Sequence, residues 1–214
     1  QYRVKGNGGA AYFTRAGLPQ DSAFIQIRHY EFDVRHAELH IDSVTLVTNF
    51  YLDQPVEGSW QEKLTNINGD VNKATFPRFR SYRNDLYVPY ILPYAQFRGG
   101  FSIIGNRFYG GGNDSSRASI ILDYNDTMLI KATSRRFWLR KDKVYSEDVE
   151  AVIYLGAEDS IFHPKVTMRY LPDLKQFSLI RNDEGMGSAI FSDTYHNLDM
   201  LFDVITWEVG SPQM

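Results

Sequence analysis

β-Branched, aromatic and other apolar residues recur at every second position in short segments along much of this chain. In one such segment, Ile25 and Ile27 alternate with Gln26 and Arg28. A period of two places successive side chains on opposite faces of a β-strand, so each segment is predicted to form a half-buried strand. In the second half of the chain, strands are predicted at residues 101–109, 118–124, 128–133, 136–140, 149–155, 165–171 and 176–181.

Polar turn residues separate these segments, which follow one another at a spacing of roughly 8–12 residues. This pattern is typical of all-β folds, and the 14 Tyr and 14 Phe of the chain also favour sheet. We therefore expect a single all-β domain spanning residues 1–214, in the form of a mainly antiparallel β-sandwich or jelly roll. A segment of a β-solenoid is the alternative, because strand pairs of this length could also stack as rungs.

Two segments are predicted to lack long strands. Residues 54–73 are rich in Gly, Pro, Asn and Asp, which are typical of turns. Residues 76–100 contain Pro77, Pro89 and Pro93, and proline cannot donate a hydrogen bond to a strand ladder. The second segment is therefore expected to be a long irregular excursion with short extended pieces.

The C-terminal part of the chain permits two interpretations. Asp193 could cap a helix that continues through Leu198 and Leu201. Alternation of Val204 and Thr206 with their neighbours instead indicates a strand, and β-branched residues are poor helix formers. We expect a closing strand.

Charge and composition exclude several classes of protein. The chain carries 23 Lys and Arg against 26 Asp and Glu, and a nucleic-acid partner is not expected without a basic excess. No apolar run approaches the length of about 20 residues that a transmembrane helix needs. The absence of Cys fits a bacterial protein. Because the sequence begins at Gln1 rather than Met, we expect a fragment or mature form of a longer exported chain, located in the bacterial periplasm or at the cell surface.

The region from Phe76 to Arg98 is the candidate binding surface, because arginine and aromatic residues alternate within it. Tyrosine combines an apolar body with a polar tip, and arginine stacks on rings and binds carboxylates. Such a surface suits a glycan or a protein partner. The rings could instead cover an open face of the sheet and close the core. The candidate ligand-binding residues are Arg78, Arg80, Tyr82, Tyr87, Tyr90 and Tyr94.

Two groups of polar residues could bind a metal ion. His36, Glu38 and His40 would share one face of a strand, and they offer the imidazole and carboxylate ligands that zinc uses. A solvated polar face explains the same residues without a metal. Residues 110–116 and 123–126 offer oxygen ligands for Ca²⁺, although Asn, Asp and Gly are also what tight turns require.

No constellation of residues predicts catalysis, and no cofactor is predicted. Glycoside hydrolysis needs two carboxyl groups that flank one bond. Asp159, Asp183 and Glu184 could supply such a pair, but nothing in the sequence distinguishes them from other acids. The Gly-x-Ser-x-Gly pattern of a serine nucleophile is absent, and His163 and His196 are expected to have structural roles. The chain is therefore more simply interpreted as a protein that is not an enzyme.

Four sequence motifs occur together in this chain. They are FPRFRSY at residues 76–82, the glycine and aromatic pattern of residues 99–108, DSIFHP at residues 159–164 and DTYHNLDM at residues 193–200. Together they resemble a segment of large bacterial cell-envelope proteins of uncharacterised function, over most of the chain from about residue 37. The resemblance implies an exported location and neighbouring domains in the same chain. It implies no activity and no role for any residue.

The sequence is compatible with three functions. The first is a non-catalytic structural or binding module of a bacterial envelope protein, which recognises a glycan or a protein partner through the candidate binding surface. The second is a carbohydrate-active enzyme that uses paired carboxylates. The third is a jelly roll that handles lipids or other amphiphiles in an aromatic-lined groove.

Overall fold

The computed structural model describes residues 2–65, 69–111, 116–124, 127–156 and 158–209. Strands dominate, and the helices found among these residues are 3-10 turns of three or four residues. Those turns are Thr14–Ala16, Val71–Lys73, Pro172–Leu174 and Gly185–Ser188. In this part of the chain, no helix has the length and apolar character needed to cross a lipid bilayer.

Several strands alternate buried and more accessible residues, as their sequence pattern predicts, and the strands Val56–Lys63, Arg136–Leu139 and Val144–Tyr154 are examples. In chain order they are β1 (Arg3–Asn7), β2 (Ala10–Tyr12), β3 (Ala23–Ile27), β4 (His29–Asp33), β5 (Glu38–Thr48), β6 (Val56–Lys63), β7 (Arg78–Ser81), β8 (Leu86–Leu92), β9 (Ala95–Ile104), β10 (Arg107–Gly111), β11 (Ala118–Tyr124), β12 (Thr127–Ser134), β13 (Arg136–Leu139), β14 (Val144–Tyr154), β15 (Ser160–Leu171), β16 (Gln176–Arg181), β17 (Phe191–Asp193), β18 (Leu198–Met200) and β19 (Val204–Glu208).

The chain divides into two compact units, and the first comprises Gln1–Leu86 and Gly100–Tyr109. In this unit β1 pairs with β4 in a two-stranded sheet. A second antiparallel sheet runs through β2, β3, β5, β6 and β7 to the C-terminal half of β9. The fully or nearly fully buried side chains of its core include Ile25, Leu46, Trp60, Phe79 and Ile103.

The second unit comprises Tyr87–Gly99 and Gly110–Met214. Its sheet runs from the N-terminal half of β9 through β11, β12, β14, β15 and β16 to β19. Strand β13 pairs with β14, and β17 joins β15 to β18. Its core includes the buried side chains of Phe97, Ile120, Val149, Met168, Tyr170 and Phe177.

Every strand pair whose register is described is antiparallel. The prediction of an all-β, mainly antiparallel fold is therefore confirmed, and the large antiparallel sheets are those expected of a β-sandwich. The described residues form no β-solenoid, in which successive rungs would stack in parallel.

Two of the predictions for individual segments are wrong. Residues 54–73 were expected to form turns, but β6 occupies Val56–Lys63 between paired strands. Residues 76–100 were expected to be irregular, but they contain β7, β8 and much of β9. The prolines allow this because Pro77 precedes β7 and Pro93 lies in the turn before β9, where no ladder hydrogen bond is required. Only Pro89 lies within a strand of this region.

A further proline lies inside β15, which begins five residues earlier than its predicted start. The register shifts there, because Val149 pairs with Val166 whereas Ala151 pairs with His163. One extra residue on β15 forms a β-bulge, and a bulge removes the need for an N–H at Pro164. At the C-terminal end, the predicted closing strand is confirmed as β19, which pairs with β16.

Candidate binding surface

The six predicted ligand-binding residues fall in both units. Arg78, Arg80 and Tyr82 belong to the first unit, and Tyr87, Tyr90 and Tyr94 belong to the second. Each group is therefore described within its own unit.

In the first unit, the side chain of Arg78 contacts two residues that precede it in the chain, Thr75 and Phe76. Its Nε donates a hydrogen bond to the carbonyl oxygen of Thr75 at 2.7 Å, and its guanidinium lies 4.2 Å from the centre of the Phe76 ring. Arg80 lies two residues further along β7 and is exposed. Its side chain makes no hydrogen bond or ion pair with the described residues, so of these two arginines it is the one available to a ligand.

Tyr82 follows β7 and its ring is exposed. Partial burial of the hydroxyl, together with the carboxylates of Asp42 and Glu57, raises the pKa of Tyr82. Its hydroxyl therefore stays protonated at neutral pH and remains a hydrogen-bond donor.

In the second unit, Tyr87 and Tyr90 lie on the solvent side of the hairpin formed by β8 and β9. The exposed fractions are 60% for Tyr87 and 83% for Tyr90. Both rings are therefore accessible to a ligand. The rings of these two tyrosines do not close the core, which is the alternative left open by the sequence.

A chain of hydrogen bonds holds Tyr87 in place. Its hydroxyl donates to Oε1 of Gln96 on β9 at 3.1 Å, and Nε2 of Gln96 donates to Oδ2 of Asp123 on β11. Three neighbouring strands therefore contribute one side chain each to a connected polar network. Ordering before a ligand arrives reduces the entropy lost on binding. We call Tyr87, Tyr90, Gln96, Arg98 and Asp123 the tyrosine face.

Tyr94 occupies the turn between β8 and β9, where its φ is 61°. This left-handed region normally favours glycine, so a bulky residue there is held by its surroundings. The hydroxyl of Tyr170 donates to the carbonyl oxygen of Pro93 at 2.6 Å, and the backbone N–H of Asp123 donates to the carbonyl oxygen of Tyr94 at 3.2 Å. Burial raises the pKa of Tyr170 to about 12, with a smaller contribution from Tyr94, so this hydroxyl remains a donor at neutral pH.

The candidate zinc ligands His36, Glu38 and His40 do not form a three-residue cluster. His40 is bonded through Nε2 to Asp42 at 2.8 Å and through Nδ1 to Gln61 at 3.0 Å. Glu38 lies 3.9 Å from Nζ of Lys63. Among the described residues, no group of three His, Cys, Asp or Glu side chains could hold a metal ion. Most of the candidate calcium segments, at residues 112–115 and 125–126, lies outside the described residues.

Two of the three acids considered for glycoside hydrolysis make separate contacts. Asp183 lies 3.6 Å from Nη2 of Arg181, and Asp159 accepts a hydrogen bond from Thr194 at 3.5 Å. Glu184 precedes the 3-10 turn Gly185–Ser188. These contacts are typical of surface turns rather than of a catalytic pair.

His163 has a structural environment at the β-bulge in β15. The imidazole is fully buried, Nε2 donates to the carbonyl oxygen of Ala189 at 2.8 Å, and Nδ1 accepts from the N–H of Lys165 at 3.1 Å. These bonds define a neutral ring. Burial lowers the pKa of His163, and the positive charge of Arg181 acts in the same direction.

This burial predicts a pH-dependent stability. Below the ordinary pKa of 6.5, the unfolded chain protonates His163 while the folded chain keeps the ring neutral. The contribution of the neutral ring is therefore complete above pH 6.5 and is lost as the pH falls towards the lowered pKa. Chemical denaturation from pH 7 to pH 5 should show a steeper loss of unfolding free energy in the wild type than in His163→Gln, by up to about 1.4 kcal/mol per pH unit. The exposed His36→Gln variant is the control, and equal slopes for wild type and His163→Gln would contradict the assignment.

One candidate site was missed by sequence reasoning. Trp138 on β13 is 45% exposed and pairs across the sheet with Tyr145 on β14. The two rings lie 6.2 Å apart in an edge-to-face arrangement beside a cleft of about 270 Å³. The sequence contains one indication of this site. If Phe137 and Leu139 face the core, alternation along the strand places Trp138 between them on the solvent side.

Comparison of the chain with known protein families, with curated proteins and with solved structures finds no match.

Proposed function

We propose that this chain is a non-catalytic binding module of a bacterial envelope protein, exported to the periplasm or cell surface, and that it recognises a glycan or a protein partner. The observation that carries the proposal is the tyrosine face. Two tyrosines with exposed fractions of 60% and 83% stand on one strand, β8, rather than on a loop, and an ordered polar network starts at Tyr87. Exposed tyrosine combined with Gln, Arg and Asp offers both stacking area and hydrogen bonds to a ligand.

The polar groups of the tyrosine face support the proposal of a recognition role. The polar groups of the tyrosine face are joined to one another, with Gln96 between Tyr87 and Asp123. A carboxylate that already accepts a hydrogen bond in this way is suited to orient a ligand hydroxyl or amide.

The proposal is tested with the double variant Tyr87→Ala/Tyr90→Ala. Wild type and variant are applied to a glycan array, and a photo-crosslinking amino acid placed at position 90 is used to capture protein partners from bacterial envelope extract. The variant should lose at least tenfold in binding, which corresponds to about 1.4 kcal/mol. Its free energy of unfolding should stay within about 1 kcal/mol of the wild type, because both side chains are exposed.

Tyr195→Ala is the matched control, because Tyr195 is an equally exposed tyrosine of the second unit that lies outside the tyrosine face. It should bind as the wild type does. A positive array assigns a glycan ligand, and a blank array with a crosslink assigns a protein partner. Binding that survives in the double variant, or the absence of any ligand in both assays, would overturn the proposal.

A further inference from the structure

A cleft opens on the second unit where the strand ladder is interrupted on both sides. Strand β12 ends at Ser134 and β13 begins at Arg136, so the chain leaves the ladder at Arg135. On β14 the register shifts between Ser146 and Val149, which marks a bulge at Glu147 and Asp148. Bulges often redirect side chains next to functional sites. The cleft has a volume of about 270 Å³.

The lining of the cleft combines an aromatic wall with a polar floor. The exposed indole of Trp138 stands against Tyr145, whose hydroxyl donates to Oε1 of Glu147 at 2.8 Å. Beneath them, Oγ of Ser134 lies 2.8 Å from Oγ of Ser146, and both serines are buried. These contacts hold the wall and the floor in place in the absence of a ligand.

The charges of the lining are balanced. Arg135 and Arg136 contribute two cations, and Glu147 and Asp148 contribute two anions. Asp148 is in addition paired with Lys165 at 2.9 Å. Arg135 is exposed and makes no hydrogen bond or ion pair with the described residues, so its five N–H donors are available to a ligand. The lining residues thus carry equal numbers of positive and negative charges, and they supply hydrogen-bond donors and acceptors side by side.

We infer that this cleft is a second binding site, distinct from the tyrosine face, and that it takes one neutral sugar ring of a glycan. The C–H face of a pyranose can pack against the Trp138 indole, and its hydroxyls can accept from Arg135 and donate to Glu147. The volume lies just below the roughly 300–1,000 Å³ of clefts that hold drug-sized ligands, which suits a single ring.

Tryptophan fluorescence provides a direct test, because Trp60 and Trp207 are buried and Trp138 is exposed. The probes are neutral trisaccharides of glucose, mannose, galactose and N-acetylglucosamine at millimolar concentration, with trigalacturonate as the charged comparison. At least one neutral trisaccharide should shift the emission to shorter wavelength and reduce acrylamide quenching about twofold. Trigalacturonate should bind more weakly than the neutral sugar that binds best.

Variants separate this site from the tyrosine face. Isothermal titration calorimetry with the same trisaccharide should show at least a tenfold loss of affinity in Trp138→Ala and in Arg135→Ala, and partial recovery in Trp138→Phe. Arg135→Ala keeps the test decisive if Trp138→Ala lowers stability, since the Arg135 side chain is exposed. The double variant Tyr87→Ala/Tyr90→Ala should bind this trisaccharide as the wild type does.

Three results would overturn the inference. The first is the absence of a fluorescence change with every neutral trisaccharide. The second is unchanged affinity in both Trp138→Ala and Arg135→Ala. The third is tighter binding of trigalacturonate, which would make the cleft an anion site. If the second result is accompanied by a loss of binding in the tyrosine double variant, the trisaccharide binds at the tyrosine face.

Discussion

Replacing Phe97 by alanine is expected to lower the free energy of unfolding by about 3–5 kcal/mol. The Phe97 ring is 1% exposed, and its strand β9 pairs with β11 through Ile120. A Cβ atom added at Gly110 would lie 2.5 Å from the ring, and one added at Gly99 would lie 2.9 Å from it. The ring therefore fills space that these two glycines leave open, and its removal creates a cavity that the backbone cannot easily close.

Urea or guanidinium denaturation of Phe97→Ala measures this cost. Tyr90→Ala is the control within the same hairpin, and its exposed ring should contribute within about 1 kcal/mol. The experiment also decides between two interpretations of residues 76–100. If they formed the irregular excursion that their prolines predict, Phe97 would lie outside the core, and its loss would cost less than about 1 kcal/mol.

Gly58→Ala is expected to destabilise the first unit by on the order of 3 kcal/mol, the upper part of the range for overpacking. Gly58 lies on β6 opposite Ser81 of β7. Its Cβ would lie 2.1 Å from the carbonyl oxygen of Arg80 and 2.7 Å from the ring of Phe79. A clash with backbone cannot be relieved by a change of rotamer, so β7 would have to move away from β6.

The matched control is Gly69→Ala, since no heavy atom lies within 4 Å of a Cβ built at Gly69. This variant should be neutral within about 0.5 kcal/mol in the same thermal or chemical denaturation. Equal stabilities of the two alanine variants would contradict the close approach of β6 and β7, and with it the strand at Val56–Lys63.

The tyrosine face and the cleft lie on the solvent side of one sheet in the second unit. Arg98 of the tyrosine face pairs with Ser119, Ser119 pairs with Thr133, and Thr133 pairs with Glu150 on the strand that borders the cleft. Paired residues of antiparallel strands share a face. Three strand spacings of about 4.8 Å each separate β9 from β14, so the two sites occupy different positions on this sheet.

Several strands could be predicted because alternation is a local property. The prediction for residues 118–124 coincides with β11, and that for residues 176–181 coincides with β16. The segment 101–109 was predicted as one strand, but Gly105 with a φ of 63° divides it between β9 and β10. Glycine is required there because a Cβ would lie 2.3 Å from the carbonyl oxygen of Ala74, a residue distant in sequence.

The candidate site was predictable only in part. The sequence left open whether the tyrosines between Tyr87 and Tyr94 face solvent or close the core, and the structure leaves their rings accessible. The hydrogen bonds from Tyr87 through Gln96 to Asp123 were not predictable, because they join three strands. Trp138 was overlooked for the same reason, since its cleft depends on a bulge in β14 that the sequence of β13 does not reveal.

The sequence by itself determined that the chain forms strands, and in most of them which residues face the core, because side-chain direction alternates along any extended backbone. Only the tertiary structure decided which strands pair and where the ladder tolerates Pro89 and Pro164. It also decided which aromatic rings stay in solvent. Pairing is set by hydrogen bonds and packing between segments that are distant in sequence. The sequence around a proline does not show whether it lies in a ladder, and the sequence around an aromatic residue does not show whether its ring is buried or in solvent.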